Sequence, residues 1–212
     1  MSDMIDRRLM WLTASLALVI FAAAALFGGP GSLSDIDAIK ALANVRAAHA
    51  ELTSFAIGLT NVGGAPGMIA ILMVVLAVLA FRKQRKQAVT FALIALGGRA
   101  IVELIKLAVH RPRPAFGPYP VNVASFSFPS AHAANSMITL LAIAMLVVPA
   151  RYRVMAVTAA VSLSGIIGAT RPFLGVHWVS DVVAGWTFGI AWVTALATAS
   201  DYWLASREIR QA

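Results

Sequence analysis

The chain has 212 residues, of which 60% are hydrophobic and 12% are charged, and its mean hydropathy is +0.82. A water-soluble domain of this size cannot bury so much apolar surface, so the composition excludes an ordinary soluble enzyme and indicates an integral membrane protein. The net charge is +8, but the basic residues form short clusters between apolar segments and no continuous stripe, so we expect no nucleic-acid partner.

Six apolar segments are long enough to cross roughly 30 Å of hydrocarbon as helices. The first resembles a signal peptide, but no convincing cleavage site follows it, so we expect it to remain as an anchor. Gly185 and Gly189 form a pattern of small residues that we attribute to packing within the bundle and not to dimerisation. Without repeats or linkers, the sequence predicts an all-α bundle of six transmembrane helices that forms a single domain, residues 1–212. The segments cover residues 9–27, 64–81, 87–109, 131–148, 154–169 and 179–200.

The loop after the first segment is predicted to contain a short amphipathic helix. Ser34, with Asp37 three residues later, forms a capping pattern at its start. We expect this helix to cover the functional site, to rest on lipid headgroups, or to pack on the bundle with no functional role. Its apolar residues recur at helical spacing and are Ile36, Ile39, Leu42, Val45 and Leu52.

Clusters of basic residues predict the orientation in the membrane. All of them fall on one side if every segment crosses, and the positive-inside rule makes that side cytoplasmic. Both termini are then inside, and the loops 28–63, 110–130 and 170–178 are outside. The clusters are Arg7 and Arg8; Arg82, Lys83, Arg85 and Lys86; Arg151 and Arg153; Arg207 and Arg210.

The third segment carries charged residues, which are costly in a bilayer. Arg99 and Glu103 are four residues apart, and we interpret them as a structural pair, with a catalytic glutamate as the alternative. Lys106 lies near the outer end and is followed by Arg111 and Arg113. Cations are disfavoured on this side, so we expect an anion to bind there.

The fourth segment begins at Ser130, which is well placed as an N-cap. The free backbone N–H groups of the next turn point outward and favour a phosphate group. His132 lies in that first turn and faces the same space. Alone, such a histidine is more typical of an interfacial side chain than of a catalyst.

The third cluster contains Arg171, His177 and Asp181 at the outer entrance to the sixth segment. His177 and Asp181 are four residues apart, so in a helix they share a face. The carboxylate can hold one ring nitrogen as N–H and leave the other as a lone pair aimed at an electrophile. The alternative is an interfacial hydrogen bond without a catalytic role.

The three clusters are predicted to meet at one level of the membrane. The third segment ends outside, while the fourth and sixth segments begin outside. Together they supply cations, a helix N-terminus and two histidines, which suit a site for phosphoryl transfer. Too few acidic residues lie nearby to hold magnesium, so we predict no metal and no cofactor.

These residues resemble the three signature motifs of the type-2 phosphatidic-acid phosphatase superfamily, which includes vanadium haloperoxidases. The resemblance spans about residues 100–190. There are two departures: Ala131 stands where the family usually has glycine and slightly crowds the approach, and Thr170 replaces a serine but keeps a hydroxyl. The matching residues are Lys106, Arg113 and Pro114 for the first motif, Pro129, Ser130 and His132 for the second, and Arg171, His177 and Asp181 for the third.

The resemblance implies a role for each residue. His177 attacks phosphorus and forms a phosphohistidine, while Asp181 orients it. His132 protonates the leaving lipid oxygen and then activates water. Without the resemblance, the residues leave open which histidine attacks. The implied phosphate ligands are Lys106, Arg113, Ser130, the Ala131 N–H and Arg171.

We expect a lipid substrate, because the loop 117–129 has no charge and an amphiphile can enter it from the outer leaflet. The resemblance suggests undecaprenyl diphosphate, phosphatidylglycerol phosphate or phosphatidic acid, with lipid A as a further candidate. The small six-span form looks bacterial, so we expect a bacterial inner membrane, with the site that the charge asymmetry places outside facing the periplasm or exterior. We infer no obligate protein partner. A lipid-to-lipid phosphotransferase on the same scaffold is an alternative. A transporter is disfavoured because matching repeats are missing, and a haloperoxidase because those relatives are soluble.

Overall fold

A computed structural model describes the backbone of residues 2–211 and the side chains of residues 8–199. Over this range every regular element is helical, which confirms the all-α class. Three of the basic residues used for orientation, Arg7, Arg207 and Arg210, lie outside the described side chains. A π-helical turn, Ile143–Val147, extends α6. The helices are α1 (Ser2–Phe27), α2 (Leu33–Ala48), α3 (Ala50–Gly63), α4 (Ala65–Phe81), α5 (Arg85–Val109), α6 (Ala131–Ala142), α7 (Arg153–Phe173) and α8 (Val179–Gln211).

Helix α6 is the centre of the bundle, because it packs on α5, α7 and α8 and buries most of its residues. Phe91 and Ile138 are part of the apolar core between α5 and α6. Gly185 and Gly189 let α8 approach closely: a methyl group on Gly185 would lie 2.7 Å from the carbonyl oxygen of Ser130, and one on Gly189 would lie 2.8 Å from a side chain of α6. Packing within the bundle therefore explains both glycines, as predicted.

Several helices have the length and composition of membrane spans. The bent pair α3–α4, with an angle of 44° at its break, counts as a further span if taken together. Helix α6 with its π-helical turn is shorter, so length does not confirm the predicted count of six. Leu12, Leu93 and Val154 are among many large apolar side chains exposed on the surface, as expected for contact with lipid. The chain is a multi-pass membrane protein with these long spans: Arg8–Phe27, Arg85–Val109, Ala150–Phe173 and Val179–Ala199.

The segment between α1 and α4 contains two helices where the sequence predicts one. Helix α2 has its N-cap at Ser32 and not at Ser34, because the Ser32 hydroxyl accepts the N–H of Asp35 at 3.4 Å. Its buried residues are Asp35 and Ile39, so a carboxylate shares the inward side and the predicted apolar stripe is not confirmed. Helix α3 begins at Ala50 and continues through a bend into α4.

The predicted pair of Arg99 and Glu103 is wrong. Among the side chains of residues 8–199, the ion pairs within 4 Å are Arg111 with Asp181 and His177 with Asp181. Glu103 is exposed, whereas Arg99 is half-buried and lines a cleft between α4, α5 and α6. A spacing of four residues permits contact on a helix, but the rotamers of two long side chains can separate them.

Candidate active site

The loop after α5 meets the starts of α6 and α8 at one end of the bundle. Helix α5 ends at Val109, and its C-cap His110 has a left-handed backbone (φ 52°) that turns the chain into that loop. The indole N–H of Trp178 donates to the carbonyl of Pro112 at 2.8 Å. The N–H of Ser130 donates to the carbonyl of Asp181 at 2.9 Å. The three clusters identified in the sequence are therefore joined by hydrogen bonds.

Asp181 organises the start of α8. It is fully buried, and its Oδ2 accepts the N–H of Trp178 at 3.0 Å, as in a capping box. The same oxygen lies 3.4 Å from His177 Nδ1 and accepts the hydroxyl of Ser127, which is itself 3.3 Å from Nδ1. The predicted His–Asp contact exists, but not on one helical face, because α8 begins at Val179.

His177 presents its other ring nitrogen to Arg113. The guanidinium Nη1 lies 3.0 Å from Nε2 and also donates to the carbonyl of Val176 at 2.6 Å. A guanidinium can only donate, so Nε2 accepts this bond through its lone pair. The ring proton then lies on Nδ1, facing Asp181 and Ser127. This tautomer is the one required for nucleophilic attack by Nε2.

The surroundings of His177 favour its neutral form. Burial lowers the pKa of His177 well below its ordinary value, and the positive charges of Arg113, Lys106 and Arg171, followed by His132, lower it further. The four predicted basic side chains thus lie near enough to influence one imidazole. A neutral ring at physiological pH keeps the lone pair that a nucleophile needs.

Three more predicted residues at this end of the bundle are buried donors. Lys106 is 1% exposed, and its Nζ donates to the carbonyl of Phe126 at 2.7 Å. Arg171 donates to the hydroxyl of Thr60 in α3 at 2.6 Å, while its Nε has no partner among the described residues. Ser130 occupies the N-cap position of α6, but its hydroxyl makes no capping bond and has no hydrogen-bond partner among residues 8–199. Such donors suit a ligand rich in acceptor oxygens.

His132 lies in the first turn of α6, half-buried, next to Ala131. A methyl group on Gly64 would lie 3.4 Å from its Nε2, so the bend between α3 and α4 reaches the site. The sequence does not indicate this approach.

Among residues 8–199 no three histidine, aspartate or glutamate side chains are grouped so that they could hold a metal ion. Metal-independent chemistry remains a prediction.

Arg111 is a site residue for which the sequence analysis assigns no separate role. Its Nη1 donates to Asp181 Oδ1 at 3.0 Å, and its Nη2 donates to the carbonyls of Ala24 and Ala25 at 3.1 and 2.7 Å. The guanidinium also lies over the ring of Phe128, 4.3 Å from its centroid. It therefore connects the C-terminal turn of α1 to the carboxylate that contacts His177. The sequence Arg-Pro-Arg-Pro at residues 111–114 contains two arginines, but it does not indicate which one contacts His177 and which one pairs with Asp181.

Helix α2 holds both sides of the loop that carries His177. The carboxylate of Asp35 accepts the backbone N–H of Ser180 at 3.0 Å and also the Ser180 hydroxyl, in the first turn of α8. At the other end of α2, Arg46 donates to the carbonyl of Phe173, the last residue of α7, at 2.6 Å. Neither Asp35 nor Arg46 belongs to a motif, so no sequence signal identifies them.

The chain is similar to known membrane phosphatases. Residues 87–204, more than half of the chain, match the family described as the PAP2 superfamily. Phosphatidylglycerophosphatase B of Bacillus subtilis strain 168 is 28% identical over 138 residues, which are 63% of this chain and 68% of that protein. A lipid A 1-phosphatase of Rhizobium johnstonii is 36% identical over 105 residues, 45% of this chain; the chain spans only 40% of that relative's length.

The fold is also that of a solved relative. The crystal structure of a transmembrane PAP2-type phosphatidylglycerolphosphate phosphatase from Bacillus subtilis matches with a TM-score of 0.81 at 23% identity. The match covers 90% of this chain and 96% of that one. The family match includes every site residue predicted from the sequence, from Lys106 to Asp181. The chain therefore belongs to the PAP2 superfamily, and it is a membrane enzyme of the phosphatase class that its relatives represent.

Proposed function

We propose that the protein hydrolyses a phosphate ester or diphosphate of a membrane lipid through a phosphohistidine on His177. The observation that carries this proposal is the geometry of that ring: Arg113 Nη1 lies 3.0 Å from Nε2, while Nδ1 faces Asp181 and Ser127. Burial lowers the pKa of His177, which favours the neutral ring with its lone pair on Nε2. Nε2 attacks phosphorus and the P–O bond to the lipid breaks, while His132 protonates the leaving oxygen. Water, deprotonated by His132, then breaks the P–N bond and releases phosphate.

The phosphoryl oxygens are proposed to bind Lys106, Arg113, Arg171, Ser130 and the Ala131 N–H. The unpartnered Ser130 hydroxyl and Arg171 Nε support this assignment, since both are buried donors. Arg113 has to leave Nε2 as phosphorus approaches and move onto a phosphoryl oxygen. These positive groups stabilise the charge that develops in the transition state.

The substrate is proposed to be undecaprenyl diphosphate, phosphatidylglycerol phosphate or phosphatidic acid. Two relatives support a lipid, since their names specify phosphatidylglycerophosphate and lipid A as their substrates. The uncharged loop 117–129 supports entry from the bilayer.

We further propose six crossings, with α3–α4 as one bent span and α6 as a short one. Both termini are then cytoplasmic, and the site faces the periplasm or exterior of a bacterial inner membrane. The basic clusters at residues 82–86 and 151–153 support this orientation.

The test is phosphate release by purified protein in detergent from a panel of lipid phosphates and diphosphates. A hydrolase releases inorganic phosphate without an acceptor lipid. A phosphotransferase instead consumes its donor only when an acceptor lipid is added, and releases no inorganic phosphate. With radiolabelled substrate, wild-type protein should retain label that is stable in alkali and labile in acid, as expected for phosphohistidine. His177→Ala should retain none, and His49→Ala, which changes an exposed histidine, should behave as wild type. Full turnover by His177→Ala would refute the mechanism.

A further inference from the structure

The last turn of α3 contributes a residue to the site that lies outside the three motifs. Thr60 is only 2% exposed, and its hydroxyl accepts a hydrogen bond from Nη1 of Arg171 at 2.6 Å. Within residues 8–199 this is the one hydrogen bond that the Arg171 side chain makes. The guanidinium is therefore anchored to α3 and not to its own helix.

Close packing of α3 on α7 brings these two residues together. A methyl group on Gly63 would overlap the side chain of Ile167, so the helices approach closely at that point. Thr60 lies one turn before Gly63 on α3, and Arg171 lies one turn after Ile167 on α7. The two contacts are thus successive contacts between antiparallel helices, and the packing at Gly63 holds the Thr60 hydroxyl at the guanidinium.

Arg171 is a buried cation without a carboxylate partner. It is 3% exposed, and the ion pairs within 4 Å among the described side chains involve only Arg111, His177 and Asp181. Burial chiefly lowers the pKa of His177, and the charge of Arg171 is among those that lower it further. A neutral hydroxyl can hold a guanidinium without cancelling its charge, so Arg171 remains free to bind an anion.

The hydrogen bond to Thr60 determines which edge of the guanidinium is free. In arginine the N–H groups of Nε and Nη2 run parallel along one edge, and Nη1 lies away from that edge. Nε of Arg171 is buried without a partner, and Nη2 makes no hydrogen bond within residues 8–199. Two parallel N–H groups match two oxygens of a phosphoryl group.

We propose that Thr60 is a positioning residue, which holds Nη1 of Arg171 so that the Nε–Nη2 edge binds two phosphoryl oxygens. This inference rests on the proposed function and adds to the site a residue that precedes the family match. An arginine side chain has several torsions to order, and the hydroxyl orders them before the ligand arrives. Donors that are already oriented stabilise the transition state without reorganisation.

The test measures binding of inorganic vanadate by calorimetry in detergent. Vanadate can take the five-coordinate geometry of the transition state, and its binding requires no turnover. Thr60→Val replaces the hydroxyl with a methyl group of similar size and should weaken binding roughly tenfold, as expected for the loss of one hydrogen bond to a charged donor. Thr60→Ser keeps a hydroxyl and should bind like the wild type. Thr158→Val, the same substitution at an exposed position of α7, is the matched control.

A second background tests whether the hydroxyl acts through Arg171. Arg171→Lys keeps the positive charge but has no Nε–Nη2 edge for Thr60 to orient. Vanadate binding should be weaker in this background, and Thr60→Val should then reduce it further by less than about twofold. A further tenfold loss would overturn the proposal, since Thr60 would then act on the ligand or on the bundle directly.

Three other results would overturn the proposal: wild-type affinity in Thr60→Val, an equal loss in Thr60→Ser, or no vanadate binding by the wild type. Thr60→Ala, which removes the same hydroxyl, repeats the test if Thr60→Val does not fold. Phosphate release from lipid is measured separately. The predicted vanadate results without any release refute the hydrolase and keep the positioning role, and release with unchanged vanadate binding in Thr60→Val does the reverse.

Discussion

At the scale of single residues, Asp181 has four partners at once. Its carboxylate caps the start of α8, contacts Nδ1 of His177, accepts the hydroxyl of Ser127 and pairs with Arg111. The same group therefore fixes the tautomer of the proposed nucleophile and the position of the helix beside it. Substitutions here should change activity and stability together.

Replacing Asp181 with asparagine should lower both quantities. The amide no longer favours the Nδ1–H tautomer, so we expect kcat to fall by at least about 100-fold. Arg111 becomes a buried charge without a counterion, which costs about 3–5 kcal/mol of stability. Phosphate release and thermal unfolding in detergent measure the two effects. Glu51→Gln, at an exposed carboxylate, should change neither kcat nor stability. A kcat equal to that of the wild type in Asp181→Asn would contradict the proposed role of the carboxylate in holding the tautomer of His177.

The low pKa of His177 predicts a loss of stability in mild acid. In the unfolded chain this histidine titrates near 6.5, whereas burial holds its pKa well below that value in the folded protein. Between the two values the unfolded state binds more protons, so stability falls as the pH drops below about 6.5. The Tm of the wild type should therefore fall more steeply between pH 7 and 5 than that of His177→Gln. His49→Gln should follow the wild type; equal slopes for wild type and His177→Gln would show that the pKa is not depressed.

At the scale of elements, two helix contacts hold the site. Helix α2 bonds to the end of α7 through Arg46 and to the start of α8 through Asp35. Helices α6 and α8 approach closely at Gly185, directly below Ser130. The first contact positions the loop with His177, and the second sets the distance between the second and third motifs.

Asp35→Asn tests the contact between α2 and α8. The amide cannot accept all the hydrogen bonds that the carboxylate accepts at the start of α8, so the loop with His177 should be held less firmly. We expect kcat to fall about tenfold with little change in KM, in line with the loss of a helix cap. The exposed neighbour Asp37→Asn should have no effect. A rise in KM alone would instead indicate that Asp35 acts on substrate binding.

Two glycine-to-alanine variants test the packing of α6 on α8. A methyl group at Gly185 meets backbone 2.7 Å away, so Gly185→Ala should destabilise the protein by about 1–3 kcal/mol and reduce activity. Nothing lies within 4 Å of a methyl group at Gly165 in α7, so Gly165→Ala should be neutral or stabilising by about 0.5–1 kcal/mol. Thermal unfolding measures both, and a similar Tm for the two variants would contradict the close approach.

At the scale of the whole molecule, the site requires more than the residues of the family match. Thr60, Asp35 and Arg46 all precede residue 87, where that match begins, yet they contact Arg171 or the ends of α7 and α8. The helices before α5 therefore complete the site, and their removal should abolish it.

The proposed orientation can be tested because the chain has no cysteine. Asn122→Cys in the loop after α5 and Gln84→Cys before α5 both introduce a thiol at an exposed position. A membrane-impermeant maleimide should label the first in intact cells and the second only after lysis. Labelling in the opposite order would invert the proposed topology.

The membrane environment, the helical class and the residues of the three motifs could be predicted without a structure. The bilayer requires apolar segments of a certain length and an uneven distribution of basic residues, and both can be read from short stretches of sequence. The spacing of the motif residues is likewise a property of the sequence. The packing of the helices, in contrast, sets the tautomer of His177, the pairing of Arg111, the contacts of α2 and the separation of Arg99 from Glu103. Each of these depends on rotamers and on contacts between residues distant in sequence, which spacing alone does not specify.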